Sequence, residues 1–356
     1  MTELHRLSKR LQFPFEVNNK IYNLISQIDA FNREFQITEK LSPQTIKRLT
    51  KSVLVTSTGS SNRIEGNKLS NEEVESLYSQ MNIKKFKTRD EQEVVGYLEV
   101  LAMIFDSYQS VNFSEGVILQ LHEMMLKHVE KDTGHRGKYK FGPNRVEARD
   151  YKGNLVKVIF NPTEPAFTAI EMKTLIEWTQ KALKEKSIHP LVIIANFIFE
   201  YLAIHPFQDG NGRTSRILTN LLLLKSGYLF VPFVSHESLI ESKKVEYYKV
   251  LAKTQQTWKT KHEDMSAWII FFLEIIKQQV SKAISLSKTD NIDIHLSEIQ
   301  SKVWQTILAH TNISRQEIQK ETRLSDSTIK QVINKLIHMK KIERIGATRS
   351  VKYRVL

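Results

Sequence analysis

Apolar residues recur along most of the chain at helical spacing. Ile21, Leu24, Ile25 and Ile28 form one stripe, and Ile46, Leu49 and Val53 form another, which predicts helices within residues 16 to 88. Leu191 to Ile204 is apolar on every side, the pattern of a helix buried all round, and Ala267 to Leu273 reads as a further core helix. Arg213 to Leu224 resumes helical patterning. Between Tyr139 and Pro162 the period changes. Arg145-Val146-Glu147-Ala148 and Leu155-Val156-Lys157-Val158-Ile159 flank Asp150-Tyr151-Lys152-Gly153-Asn154, predicting a β-hairpin over 145–160. Near the C-terminus, helices are expected over Ser297 to His310, Ser314 to Thr322 and Ser325 to Lys340. Ser314 and Ser325 suit N-caps, and Glu317 completes a capping box. Ile342 to Ile345 and Val351 to Val355 then alternate around Gly346 to Ser350.

These patterns predict a mainly α fold in four sections. Residues 1–88 form an N-terminal helical region that ends in the basic stretch Lys84 to Arg89. Residues 89–285 form a helical core with the hairpin, 286–295 a polar linker, and 296–356 a small C-terminal domain. At 356 residues the chain exceeds one ordinary core, so more than one domain is expected. There are no cysteines, which excludes disulfides, thiolate chemistry and Cys-ligated zinc. No run of about 18 apolar residues occurs, so a cytoplasmic protein with no membrane partner is expected. The formal net charge of +13 suggests anionic partners. From Leu296 to Leu356 there are 12 Lys or Arg against 5 Asp or Glu, a balance suited to a phosphate backbone.

The densest chemistry lies in His205-Pro206-Phe207-Gln208-Asp209-Gly210-Asn211-Gly212-Arg213-Thr214-Ser215-Arg216. Pro206 disfavours the α region at His205, so the buried helix should end there. The turn that follows delivers backbone N–H groups to the start of the next helix, a natural anion site. His205 can accept a proton near neutral pH, and Asp209 can hold Mg²⁺ through a hard oxygen. Gly210 and Gly212 let the backbone approach a phosphate. Arg213 and Arg216, three apart, can both fork onto phosphate oxygens.

This run resembles the Fic-domain motif, His-Pro-Phe-x-Asp/Glu-Gly-Asn-Gly-Arg-x-x-Arg, at every fixed position. The resemblance implies a Fic helical core and a protein adenylyltransferase, which moves AMP from ATP to a Ser, Thr or Tyr hydroxyl and releases pyrophosphate. It implies His205 as general base and Asp209 as the Mg²⁺ ligand. Gly210, Asn211 and Gly212 become the anion hole, with Arg213 on the β-phosphate side and Arg216 on the γ-phosphate. Fic relatives that transfer the γ-phosphate instead carry Lys at the position of Gly212. The hairpin resembles the family's flap, on which a target protein docks, and Tyr247 and Tyr248 resemble the segment that walls the adenine pocket.

Upstream, Ser61-Asn62-Arg63-Ile64-Glu65-Gly66 resembles the family's inhibitory motif. A helix over about 57–66 would put Ser61 and Glu65 on one face, with Gly66 as its C-cap. The resemblance implies that Glu65 pairs with Arg216 and keeps the γ-phosphate out. The C-terminal pattern resembles a winged helix-turn-helix, whose partner is DNA or a docking protein. Other readings remain open: AMP removal with Glu65 orienting a water, or a DNA-binding regulator whose core senses nucleotide. Self-modification and a homo-oligomer are likewise open.

Overall fold

The computed structural model describes residues 3–38, 43–81, 86–149, 155–290, 296–339, 341–346 and 351–355. Part of the basic stretch from Lys84, the hairpin turn at 150–154, the second half of the expected linker and residues 347–350 lie outside them. The helices are α1 (Glu3–Lys9), α2 (Phe15–Thr38), α3 (Pro43–Ile64), α4 (Asn71–Gln80), α5 (Arg89–Ser107) and α6 (Glu115–Met125). A hairpin of β1 (Val146–Arg149) and β2 (Leu155–Phe160) precedes α7 (Pro165–Glu185), α8 (Pro190–Ile204), α9 (Asn211–Lys225), α10 (His236–Ser242), α11 (Lys244–Gln255) and α12 (Ser266–Asp290). The chain closes with α13 (Glu298–Leu308), β3 (Ile313–Ser314), α14 (Arg315–Thr322), α15 (Asp326–His338), β4 (Ile342–Ile345) and β5 (Lys352–Val355). The fold is mainly α, as the periodicity predicts.

Contacts divide the chain into two compact units. One comprises Met1–Gln36 with Lys51–Ala283, and the other Ile37–Thr50 with Ile284–Leu356. Residues 37–50 therefore group with the C-terminal unit, which departs from the expectation of one N-terminal block over 1–88. The expected linker departs too. Nothing between Ala283 and Asp290 breaks a helix, since the stretch has neither Gly nor Pro, and α12 continues to Asp290.

In the larger unit α8 is the central helix. Every residue from Leu191 to Ile204 is buried, as its all-round apolarity requires. It packs between α7 and α9, and the Trp268 indole of α12 donates to its Ala195 carbonyl at 2.8 Å. Thr88 and Glu91 form a capping box that starts α5 at Arg89. β1 and β2 pair antiparallel with two irregularities of register. The smaller unit buries Val303, Trp304, Ile307, Ile318, Ile329, Val332, Ile333 and Leu336 in its own core. Its strands form an antiparallel sheet in the order β3-β5-β4. Ser297, Ser314 and Ser325 cap its three helices, the first two with full capping boxes.

Candidate active site

The twelve-residue motif forms the end of α8, a tight loop and the first turns of α9. His205 is the C-cap of α8, with φ 54° and ψ 61°, and its N–H still bonds to Tyr201 at 2.9 Å. The helix ends at the histidine as expected, but in the left-handed region instead of an extended conformation. Side-chain bonds hold the histidine there. Asn144 Nδ2 donates to the carbonyls of His205 (3.2 Å) and Phe207 (2.9 Å), and Lys140 Nζ donates to Ile204 O at 2.9 Å. Burial lowers Lys140 to about 8.

The His205 ring is half-buried. Its Nδ1 lies 3.3 Å from Leu202 O, a group that can only accept, so the proton belongs on Nδ1 and Nε2 carries the lone pair. Burial lowers its pKa to about 4, opposed by the Leu202 carbonyl and helped by the Lys140 charge. The imidazole is therefore neutral at pH 7.

Gly210, with φ 81°, is the N-cap of α9, which begins two residues before the expected Arg213. The first rung of α9 is Thr214 N to Gly210 O at 2.9 Å, so the N–H groups of Asn211, Gly212 and Arg213 have no intrahelical partner. N–H groups left free at a helix start can bind an anion. The Asn211 carboxamide does something different: its Oδ1 accepts from Phe207 N and its Nδ2 donates to Phe207 O, both at 2.8 Å. It folds the loop back on itself, and the N–H offered to a ligand is that of the backbone.

Asp209 sits in a cluster of charges. Its Oδ1 accepts from Gly210 N at 2.6 Å and from Arg213 at 3.3 Å, and its Oδ2 accepts from Arg89 at 2.8 Å. Burial alone would raise its pKa, but Arg213, the Gly210 N–H and Arg89 hold it below the usual carboxylate range. Arg213 also pairs with Glu93 at 2.9 Å. Among the described residues no group of three His, Asp or Glu could hold a metal. One ionised carboxylate suffices for Mg²⁺ when phosphates and water supply the other oxygens, so Asp209 fits that role.

Arg216, buried one turn further into α9, faces elsewhere than Arg213. Its Nε donates to Ser61 Oγ at 2.8 Å, and its Nη2 to Ser61 O at 2.9 Å and to Glu65 Oε1 at 2.8 Å. Nη1 is buried without a hydrogen-bond partner among the described residues. It lies beside Gly212: a Cβ there would be 3.3 Å from Nη1 and only 2.1 Å from Glu65 Oε1. The expected helix over 57–66 is the last part of the longer α3, which stops at Ile64. Glu65 lies in the turn just after it and Gly66 has φ 100°. The carboxylate thus reaches Arg216 from a turn, not from a helical face.

Glu65, His205, Gly212, Tyr247, Tyr248, Leu202 and Leu251 line one cavity of about 470 Å³ together with Arg145 and Ile159 of the hairpin region. Tyr247 is buried and Tyr248 39% exposed, with ring centroids 5.1 Å apart. Tyr248 also donates to Ile64 O at 3.4 Å. The structure thus gathers every residue singled out in the motif, the upstream glutamate and the tyrosine pair around one loop.

Several supports had no signal in the sequence pattern. Arg89, Glu93, Lys140 and Asn144 are four. His122 of α6 is a fifth: its ring stacks on Phe207 at 3.7 Å and 3°, Nδ1 accepts from Gly137 N, and Nε2 donates to Asp209 O at 2.9 Å. Burial lowers it to about 4, so it stays in that neutral tautomer.

Residues 112–223 match the Fic/DOC family. The protein adenylyltransferase Fic of Drosophila willistoni is 32% identical over 167 residues, 46% of this chain and 31% of that protein. The same-named protein of Drosophila mojavensis is 37% identical over 111 residues, 31% of this chain and 19% of that one. The chain thus matches about a third or less of these relatives' length. A Fic family protein from Desulfovibrio desulfuricans superposes with a TM-score of 0.62 at 21% identity, covering 95% of this chain and 96% of that one. A Fic domain containing signaling protein from Bacteroides thetaiotaomicron gives 0.60 at 22%, covering 74% and 97%. These last two likenesses establish the Fic fold. No described helix is long and apolar enough to cross a membrane.

Proposed function

We propose that this chain is a self-inhibited protein adenylyltransferase, which transfers AMP from ATP to a Ser, Thr or Tyr hydroxyl of a protein. The observation that carries the reading is Glu65 seated on Arg216, beside an N–H-lined helix start and a neutral histidine. An internal carboxylate on the fork that an anion would use is the arrangement of a blocked phosphate site. The sequence likeness to proteins named adenylyltransferase supports the same reaction.

His205 Nε2 takes the proton of the target hydroxyl. The hydroxyl oxygen forms a bond to the α-phosphorus, the bond from phosphorus to the α–β bridging oxygen breaks, and pyrophosphate leaves with the electron pair. The N–H groups of Asn211 to Arg213 and the Arg213 and Arg216 side chains bind the phosphates as negative charge builds up. Asp209 would hold Mg²⁺, which would supply positive charge against the phosphate oxygens. With Glu65 in place, Arg216 is unavailable to the γ-phosphate and ATP does not settle productively. Tyr247 and Tyr248 offer aromatic faces to the adenine, and the β1–β2 hairpin offers strand pairing to the target chain. Self-modification fits the same route, with a hydroxyl of this chain as acceptor.

We read the smaller unit as a winged helix that binds DNA, on its three capped helices and β3-β5-β4 sheet. Asp326 on α15 is paired with Arg315 at 2.8 Å, which offsets its repulsion of phosphate. Duplex binding by the full chain should weaken steeply with salt; no binding at low salt would instead favour a protein-docking role.

The transfer is tested with α-labelled and γ-labelled ATP in parallel on a cell lysate. Label on protein from the α position alone is expected, and label from γ alone would overturn the reading. His205→Ala should lower transfer by roughly 10² to 10⁴-fold with ATP binding within a few-fold. Near-normal transfer would remove His205 from the mechanism.

A further inference from the structure

The carboxylate that would carry the metal already holds a cation. Arg89, the first residue of α5, donates from Nη2 to Asp209 Oδ2 at 2.8 Å. It is steered there from behind, because the same nitrogen reaches Asp132 Oδ2 at 3.1 Å and Nε reaches Glu93 Oε1 at 2.8 Å. Asp132 is buried and Glu93 nearly so, whereas the Arg89 side chain is 47% exposed and that of Asp209 is 40% exposed. The other guanidinium on Asp209, Arg213, makes longer contacts of 3.3 and 3.4 Å and is itself buried, tied to Glu93. Of the two cations, Arg89 is therefore the one with both the closer grip and room to leave.

A divalent cation and a guanidinium cannot both sit on the same carboxylate oxygen. The metal needs close contact with that oxygen, and two positive charges so near each other repel. We propose that Arg89 is a built-in competitor for the metal: it neutralises Asp209 when no metal–nucleotide is bound, and its displacement sets the metal concentration at which the site loads. When displaced, the guanidinium keeps Glu93 and Asp132 as partners, so it swings aside without losing all its hydrogen bonds. Arg89 is a positioning residue, acting through Asp209. This inference rests on the proposed function, which makes Asp209 the metal ligand.

The test reads metal binding directly. Mn²⁺ is titrated into the full-length Glu65→Gly protein saturated with α,β-methylene-ATP, which cannot release AMP, and water-proton relaxation reports protein-bound Mn²⁺. Replacing Arg89 with Gln should lower the half-saturating Mn²⁺ concentration by about two- to fivefold, the range of a half-exposed ion pair, and high salt should shrink the difference. Arg89→Lys keeps a charge but has one donor site in place of the fork, and should fall between the two. Asp209→Asn should abolish the bound signal. An unchanged midpoint in Arg89→Gln, with the signal still lost in Asp209→Asn, would overturn the competitor role and leave the metal assignment standing. A parent-like signal in Asp209→Asn would overturn the assignment on which the inference rests.

Discussion

Two Arg–Glu contacts tie the N-terminal segments to the core helices of the larger unit, and they are built differently. On α8, Glu200 is enclosed at 2% exposure and held by Arg10, by Arg6 at 2.5 Å and by the Trp258 indole at 3.1 Å. Arg10 is equally tied, donating to the Asn196 side chain at 2.7 Å and to its carbonyl, while Glu263 binds Arg6 and Arg10 together. On α9, Arg216 is just as buried, but Glu65 is 34% exposed, makes its contact through one oxygen and faces a cavity. One guanidinium nitrogen has no hydrogen-bond partner among the described residues. The same pair of side chains makes a permanent clamp where every atom has a partner and no way out. On the proposed function it makes a releasable latch where one partner stands at a doorway with a spare donor behind it.

The largest effect should come from breaking the clamp. Glu200→Ala leaves Arg6 and Arg10 sharing Glu263 as their one enclosed carboxylate and should cost about 3 to 5 kcal/mol in urea unfolding, with no gain in transfer. A loss under about 1 kcal/mol would mean the network is not a clamp. Breaking the latch should do the reverse. A charge-assisted bond of ~1.5 to 3 kcal/mol suppresses productive ATP binding roughly ten- to a hundredfold, so Glu65→Gly should raise self- and target labelling by that factor. Stability should fall less than in Glu200→Ala, because solvent in the cavity reaches the freed guanidinium. Adding Arg216→Ala should cancel the gain. A folded Glu65→Gly protein no more active than its parent would dissolve the distinction between the two contacts.

The smallest effect is the response to acid. Burial would raise Glu200, but Arg10 and Arg6 bring it down to about 2, below its unfolded value of roughly 4.3. The clamp's contribution is thus complete above the unfolded value and disappears as pH falls through about 2. In the latch-free variant, activity should hold through the ordinary histidine range and fall only toward pH 4, where His205 protonates. A midpoint near 6.5 for kcat/KM would show that the base is fully solvated, against the desolvation that lowers His205 here.

The two contacts also differ in how far sequence reasoning reaches them. The latch was legible because both halves sit in short runs of unusual composition, Ser61 to Gly66 and His205 to Arg216, each interpretable beside the other. The buried helix before His205 was legible from its all-round apolarity. Nothing of that kind marks the clamp: Arg6 and Arg10 look like exposed charges in a polar N-terminal stretch, and Glu200 like an intruder in an apolar run. His122, Arg89, Lys140 and Asn144 escaped for a related reason. They support the loop from α5, from α6 and from the segment before β1, which carries both Lys140 and Asn144, and their meeting is a property of tertiary packing alone. The length of α12 was misjudged because polarity was read as linker, although polar residues without Gly or Pro can continue a helix.

Gly212 ties the fate of the latch to a single hydrogen atom. With any side chain at that position, the first carbon would land 2.1 Å from the glutamate oxygen, and the carboxylate, being the flexible partner, would be the one to move. Descendants of this chain therefore face an ordering constraint. On the inhibitory role proposed for Glu65, its contact with Arg216 must be given up before position 212 can diversify, or it is given up by that very change. A lineage that keeps the Glu65–Arg216 contact as it stands is confined to glycine at 212, and with it to whatever phosphate geometry a bare backbone dictates.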